Sequence, residues 1–215
     1  MTWSSMARRS MALAACLALA ACAGAFDLVT PDPPRLYNLT PKSTFDDDLP
    51  EVDSRISIEV PTATAGLNTA RIALKPTPTR LEYYARARWV DVVPIMVQTL
   101  LLESFDNSEK IDILGRGAYG LRADYGLRTH IREFQAEYQD DEAPLVRVRL
   151  QVRLVRLPRR TSVASTSASA TVTANDRTLQ AIVRAFDEAL GKATKKAVEW
   201  SIQTTAAEEE ADAPT

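Results

Sequence analysis

This 215-residue chain contains two cysteines, and both lie near its start. Cys22 ends an apolar run that begins just after Arg8 and Arg9, and small residues stand immediately before it. Basic residues, an apolar run of about a dozen residues and a small-residue cut site are the three parts of an export signal. We therefore expect residues 1–21 to be absent from the mature protein.

The segment Leu19-Ala20-Ala21-Cys22 resembles the lipobox of bacterial lipoproteins. This resemblance implies that Cys22 is acylated, with palmitate among its chains, and becomes the mature N-terminus. Leu13-Ala14-Ala15-Cys16 has the same local pattern, but only about six residues separate Arg9 from Cys16, fewer than an apolar signal region needs. Cys22 is therefore the predicted lipidation site.

A transmembrane anchor is the alternative interpretation of this segment. The apolar run from Met11 to Ala25 is too short to cross about 30 Å of hydrocarbon, and alanine dominates it. Several acyl chains would instead hold the protein on a membrane essentially permanently. Ala23 stands where related lipoproteins carry an aspartate for retention in the inner membrane, so its presence favours the outer membrane.

Composition excludes several classes of function. The chain is 46% hydrophobic and 25% charged, as in an ordinary globular domain. Its net charge of −2 becomes −4 when Arg8 and Arg9 leave with the signal, which argues against nucleic acid as a partner. Because Cys16 leaves with the signal and Cys22 is acylated, no disulfide and no catalytic thiol is expected.

Two further motifs could carry chemistry. Residues 115–120, Gly-Arg-Gly-Ala-Tyr-Gly, have the spacing of a dinucleotide-binding loop, but the residues after them alternate like a strand, so a glycine-rich turn is favoured. His130 is the only histidine, which excludes multi-histidine zinc sites and favours a histidine on the polar side or edge of a strand. A weak cation site at the Asp46–Asp48 loop or the Asp140–Glu142 loop is left open. No catalytic, cofactor-binding or metal-binding residue is predicted.

Alternating apolar and polar residues predict strands over much of the chain. Ile56, Ile58 and Val60 alternate with polar residues until Pro61, which is typical of a half-buried strand. Further strands are expected at residues 36–39, 72–74, 80–89, 111–114, 121–138, 145–157 and 162–174. The second and third of these are predicted to form a hairpin.

The strand at 145–157 has the clearest alternation. One row is apolar, and the other row contains Arg147, Arg149, Gln151 and Arg153. Pairing Tyr138 with Val146 would place Glu137 opposite Arg147 and Glu133 opposite Gln151. The arginine row could meet anionic lipid headgroups or an acidic partner, but a solvated face paired with glutamates is the simpler interpretation.

Two amphipathic helices are predicted. The first begins near Asp91 as its cap, places Pro94 in its first turn and stops near Asn107. The last spans 178–202 and packs on the small inner residues of the strand at 162–174. Trp89 either locks the preceding hairpin onto the first helix, which is favoured, or presents an aromatic anchor to a partner. The apolar face of the last helix consists of Leu179, Ile182, Val183, Phe186, Leu190, Ala193, Ala197 and Trp200 or Ser201.

These elements predict an α+β fold. We expect a two-layer sandwich in which a mostly antiparallel sheet is covered on one face by both helices. Residues 22–35 are predicted to be a lipidated, flexible tether and residues 36–203 the domain. Residues 204–215, which include Glu208-Glu209-Glu210, are predicted to be a disordered acidic tail.

Several segments together carry a family resemblance. The lipobox, Leu36-Tyr37-Asn38-Leu39-Thr40-Pro41, residues 81–91 (LEYYARARWVD) and the closing helix from Thr178 resemble the auxiliary lipoproteins of ABC-type transport systems, a group that includes the paraquat-inducible protein C type. The most specific part is Tyr84-Ala85-Arg86-Ala87-Arg88-Trp89.

The resemblance implies a periplasmic component anchored in the outer membrane and without a catalytic centre or cofactor. It would act with an Mce-domain protein and an inner-membrane ABC permease and ATPase to move lipids or other hydrophobic molecules. Homo-oligomers are left open. The alternative is a structural or assembly lipoprotein that supports an outer-membrane complex without contacting cargo. A periplasmic hydrolase would depend on His130 alone and has little support.

Overall fold

The structure, a computed structural model, describes residues 32–115, 122–139 and 142–213. The domain that begins at Pro34 contains, within these residues, one sheet of nine strands and two helices. The elements are β1 (Arg35–Tyr37), β2 (Val52–Ile58), β3 (Thr62–Ala63), β4 (Arg71–Thr77), β5 (Arg80–Trp89), α1 (Val93–Asp106), β6 (Ile111–Leu114), β7 (Tyr125–Glu137), β8 (Leu145–Arg156), β9 (Thr161–Thr173) and α2 (Leu179–Asp212). The predicted α+β fold is confirmed.

Strand β7 organises the sheet. On one side it pairs with β8, which in turn pairs with β9, and both of these long ladders are antiparallel. On its other side β7 pairs in succession with the short parallel strands β2, β3 and β4. Strand β5 is antiparallel to β4 and forms the predicted hairpin with it, while β1 and β6 add short parallel pairings. Most paired residues therefore belong to antiparallel ladders.

The register between β7 and β8 differs from the predicted one. Ala136, not Tyr138, lies opposite Val146, and in the same stretch the partner of Glu133 is Arg149. An irregularity between Ile131 and Glu133 separates this stretch from one in which Ile131 lies opposite Leu150. The turn is therefore longer than the alternation suggested. From Glu133 to Glu137 the shift is two residues, which keeps these side chains on their predicted faces because side chains in a strand alternate with a period of two. Beyond the irregularity the register changes by one further residue.

Three aromatic rings form the centre of the core. Trp89 of β5, Phe134 of β7 and Phe186 of α2 are each at most 1% exposed, and their ring centroids lie 5.2–5.8 Å apart. Trp89 was predicted to lock the hairpin onto α1, and its ring contacts are instead with Phe134 of β7 and Phe186 of α2. Its burial excludes the role of an exposed aromatic anchor.

The predicted end of β2 and the predicted cap of α1 are wrong. Strand β2 ends at Ile58, so Val60 is not a core residue and is instead 44% exposed. The residue that caps α1 is Val92, which offers no side-chain acceptor, and the Asp91 carboxylate accepts a hydrogen bond from the Val92 N–H instead. Asp91 lies one residue too early to reach the free N–H groups of the first turn.

Helix α2 continues through most of the segment predicted to be a disordered tail. Thr205 is fully buried, and the Glu209 carboxylate accepts a hydrogen bond of 2.7 Å from the Ser54 N–H. The Arg156 guanidinium pairs with Glu208 at 2.6 Å and also with Asp212. The acidic composition suggested solvation, but these carboxylates have partners on β2 and β8 that are remote in sequence.

The pairing of Arg156 with the end of α2 leads to a stability prediction. We expect Arg156→Gln to loosen the last turns of the helix, because two carboxylates lose their shared cation. Hydrogen exchange of the amides at 206–212 should become faster, while amides near Phe186 keep their protection. Arg159→Gln is the matched control, since Arg159 has no ion pair among the described residues. Equal exchange in both variants would contradict the prediction.

Candidate interaction surface

Alternation along β7 and β8 places polar side chains on one face of the sheet. On β8, Val148, Leu150 and Val152 are fully buried, whereas the residues between them point to the opposite side. We call this opposite side the polar face. It includes Arg128, His130, Glu133 and Glu137 from β7 and Arg147, Arg149, Gln151 and Arg153 from β8.

One half of the polar face contains matched charges. Glu133 pairs with Arg149 at 2.7 Å, and Glu137 pairs with Arg147 at 3.2 Å. The second pair is diagonal, because Arg147 lies directly opposite Gln135, whose amide also donates to Glu137 at 3.0 Å. The prediction that acids of one strand lie among bases of the next is therefore correct. Glu137 meets Arg147 as predicted, although diagonally, whereas Glu133 meets Arg149 and not Gln151.

The ionisation of Glu137 reflects this environment. Burial raises the pKa of its carboxyl, but hydrogen bonds from Gln135 and Arg147 outweigh burial and leave the pKa below its usual range. The hydrogen bond to Glu137 correspondingly raises the pKa of Arg147. The pair is thus held in its charged form at neutral pH.

The lowered pKa predicts a pH-dependent effect of Glu137→Gln. A carboxyl whose pKa is lower in the folded state stabilises the fold at pH values above its ordinary range, and this contribution disappears as the pH falls through the folded-state pKa. We expect the variant to lose up to about 1 kcal/mol of unfolding free energy at pH 7 and nothing at strongly acidic pH. Urea unfolding at both pH values measures this.

Glu210→Gln is the matched control for Glu137→Gln, because Glu210 is exposed and has no ion pair among the described residues. It should leave the unfolding free energy unchanged at either pH. A loss in Glu137→Gln that is the same at both pH values would contradict the assigned role of the carboxylate.

The other half of the polar face is cationic. A cavity of about 280 Å³ opens there, with Arg128, Arg132 and Arg153 in its lining. Glu59 is the only carboxylate in this lining, and it pairs with Arg128 at 3.1 Å. Within the described part of the chain, the side chains of Arg132 and Arg153 have no ion-pair or hydrogen-bond partner. The remainder of the lining consists of Val60, Thr62, Thr129, His130 and Gln151.

His130 lies on the polar face, as the sequence predicted, and lines this cavity. Its Nδ1 is 2.8 Å from the Thr62 hydroxyl oxygen, so β3 fixes the orientation of the ring. No other described residue hydrogen-bonds the imidazole. When the hydroxyl donates to Nδ1, the proton of a neutral imidazole lies on Nε2, which is then a donor toward the cavity.

The other candidate residues from the sequence lie outside the described residues or have partners within the fold. Cys22 and most of residues 115–120 lie outside the described residues, as do Asp140 and Asp141. Asp46 forms an ion pair of 2.7 Å with Lys195 of α2, so its carboxylate already has a partner within the fold. Within residues 32–115, 122–139 and 142–213, no three His, Cys, Asp or Glu side chains come together as a metal site.

Sequence reasoning missed the cationic half of the polar face. It singled out Arg153 and His130 but not Arg128, Arg132 or Glu59. One signal was available, because Arg128, His130 and Arg132 occupy alternate positions of a single strand and therefore share a face. Glu59 could not be found this way, because only the pairing of β2 and β3 with β7 brings it to the cavity.

Neither described helix has the length and apolar character required to cross a bilayer.

Comparison with solved structures defines the class of fold. The domain is similar to a protein of Xanthomonas campestris, XCC0632, at a TM-score of 0.77 with 24% identity, covering 82% of this chain and 99% of that one. It is also similar to an uncharacterized protein at a TM-score of 0.60 with 10% identity, covering 79% of this chain and 99% of the other. These similarities place the domain among α+β proteins of the same architecture.

Residues 37–198 match the model of the ABC-type transport auxiliary lipoprotein component, and the chain belongs to this family. The match runs from the last residue of β1 into α2. An uncharacterized protein of Bradyrhizobium diazoefficiens, bll6063, is 28% identical over 151 residues, which are 70% of this chain. The aligned region spans 40% of that relative's length.

Proposed function

We propose that this protein is a non-enzymatic auxiliary subunit of an Mce-type ABC transport system that moves lipids or other hydrophobic molecules. It would be anchored by acylated Cys22 in the outer membrane, with the domain in the periplasm. The observation that carries the proposal is the family match over residues 37–198, which includes nearly all of the folded domain. An Mce-domain protein and the ABC permease and ATPase are the proposed partners.

The arrangement of the elements supports a docking role. We infer a two-layer domain in which both helices cover the apolar face of the sheet. Helices α1 and α2 contact each other, and both contact β2, while α2 also packs on β8 and β9. Neither described helix would then cover the polar face, which would be available to a periplasmic partner.

The proposed docking face can be tested by charge reversal. We expect full-length protein to recover an Mce-domain protein from detergent-solubilised envelopes, and Arg149→Glu to recover much less of it. Arg184→Glu is the matched control, because this substitution makes the same change in charge at an exposed residue of α2. Circular dichroism should show that both variants are folded.

A genetic experiment tests the role in transport. Deletion should weaken the envelope barrier, measured as sensitivity to detergent, and the wild-type chain should restore it. Recovery of an outer-membrane complex without any Mce-domain protein would instead favour the structural or assembly role. A normal barrier after deletion, with no Mce partner recovered, would contradict the proposed function.

A further inference from the structure

Two arginines face each other across the cationic half of the polar face. Arg128 of β7 is the direct cross-strand partner of Arg153 of β8. Like charges directly opposite each other destabilise a sheet. Glu59 compensates only Arg128, and the exposed Arg132 adds a third guanidinium to the same cavity. Without His130, the lining therefore has three cationic side chains and one anionic side chain.

The other half of the same face shows that this imbalance is local. There, Arg147 and Arg149 each have a glutamate partner within ion-pairing distance. In the cavity, by contrast, three guanidinium groups line one site. The described residues provide no carboxylate partner for two of them, Arg132 and Arg153. An anion from outside the chain would supply the missing charge.

We propose that this cavity binds a phosphate group. Arginine guanidiniums are planar donors that match the oxygens of a phosphate, and several of them around one site favour a multiply bonded anion. The imidazole of His130, whose Nδ1 contacts the Thr62 hydroxyl, adds a further donor through Nε2 when that hydroxyl donates to Nδ1. A volume of about 280 Å³ is just below the usual range of about 300–1,000 Å³ for ligand sites, so the site fits a small headgroup.

The phosphate can come from two sources. A phospholipid headgroup presents a phosphodiester, and a soluble metabolite or inorganic phosphate presents a free anion. Both have the oxygens that the guanidiniums recognise. The inference stands on the cavity and does not depend on the proposed transport function.

The test is a titration of the full-length protein, purified from membranes in a nonionic detergent, at low ionic strength. Inorganic phosphate should cause saturable NMR shifts at the amides around His130 and Arg153. Arg153→Gln should weaken binding about tenfold, as expected for the loss of a hydrogen bond between charged groups. Glu59→Gln should strengthen binding, because it removes the competing carboxylate.

Arg149→Gln is the matched control, because it makes the same change of charge on the same strand but outside the cavity. Tighter binding of a water-soluble glycerophosphodiester than of inorganic phosphate would assign the site to a lipid headgroup, and the reverse would assign it to a free phosphate. An absence of saturable shifts for both ligands would overturn the proposal. Equal weakening by Arg149→Gln and Arg153→Gln would also overturn it, because binding would then follow only the overall charge.

Discussion

Phe186→Ala is expected to destabilise the domain by about 3–5 kcal/mol. The Phe186 ring is fully buried and lies 5.2 Å, centroid to centroid, from both Trp89 and Phe134. Its removal leaves a cavity between α2 and the sheet and also eliminates two aromatic contacts. Because domains of this size are stable by about 5–15 kcal/mol, this loss would remove a large share of the unfolding free energy. Urea unfolding followed by circular dichroism measures the loss.

Phe45→Ala is the matched control for this substitution. The same ring is removed, but Phe45 lies in the segment before β2 and is only partly buried at the margin of the core. We expect a clearly smaller loss of unfolding free energy. If both variants lose the same amount, the aromatic cluster is not the main link between α2 and the sheet.

Cys22→Ser is expected to release the protein from the membrane. Each buried methylene of an acyl chain contributes about 0.8 kcal/mol to membrane binding, so the loss of several chains removes the anchor. The variant should not incorporate labelled palmitate, and it should leave the membrane fraction on cell fractionation. Retention of both label and membrane binding would exclude Cys22 as the lipidation site.

Cys16→Ser distinguishes the two cysteine motifs. If Cys22 is the modified residue, this variant remains labelled and membrane-bound, because Cys16 leaves with the signal. Loss of label in Cys16→Ser together with normal labelling of Cys22→Ser would reassign the cut to the earlier motif.

The faces of the sheet were predictable from the sequence, whereas the register was not. The alternation along residues 145–157 separates buried valines and leucines from Arg147, Arg149 and Arg153, and the structure agrees. A shift of two residues leaves that alternation unchanged, so the sequence pattern alone cannot detect it. The irregularity between Ile131 and Glu133 coincides with the consecutive polar residues Arg132 and Glu133, where the alternation changes phase.

The end of α2 and the cavity were not predictable for a related reason. The acidic residues after Thr204 are suited to solvent by composition, and only the distant Arg156 and Ser54 make them part of the fold. In the same way, Glu59 reaches Arg128 only through strand pairing. Local patterns indicate which residues are polar, but the long-range topology determines which polar residues meet.

The central position of β7 has a consequence for how the domain is assembled. Strands β2, β3 and β4 pair with successive parts of one strand that follows them by dozens of residues, whereas β7, β8, β9 and α2 are neighbours in the chain. Distant pairings are slow because a long loop must close first. The C-terminal part is therefore expected to form an early folding nucleus. A chain that emerges N-terminus first would keep its first strands unpaired until that nucleus arrives, and these strands would need protection from aggregation in the interval.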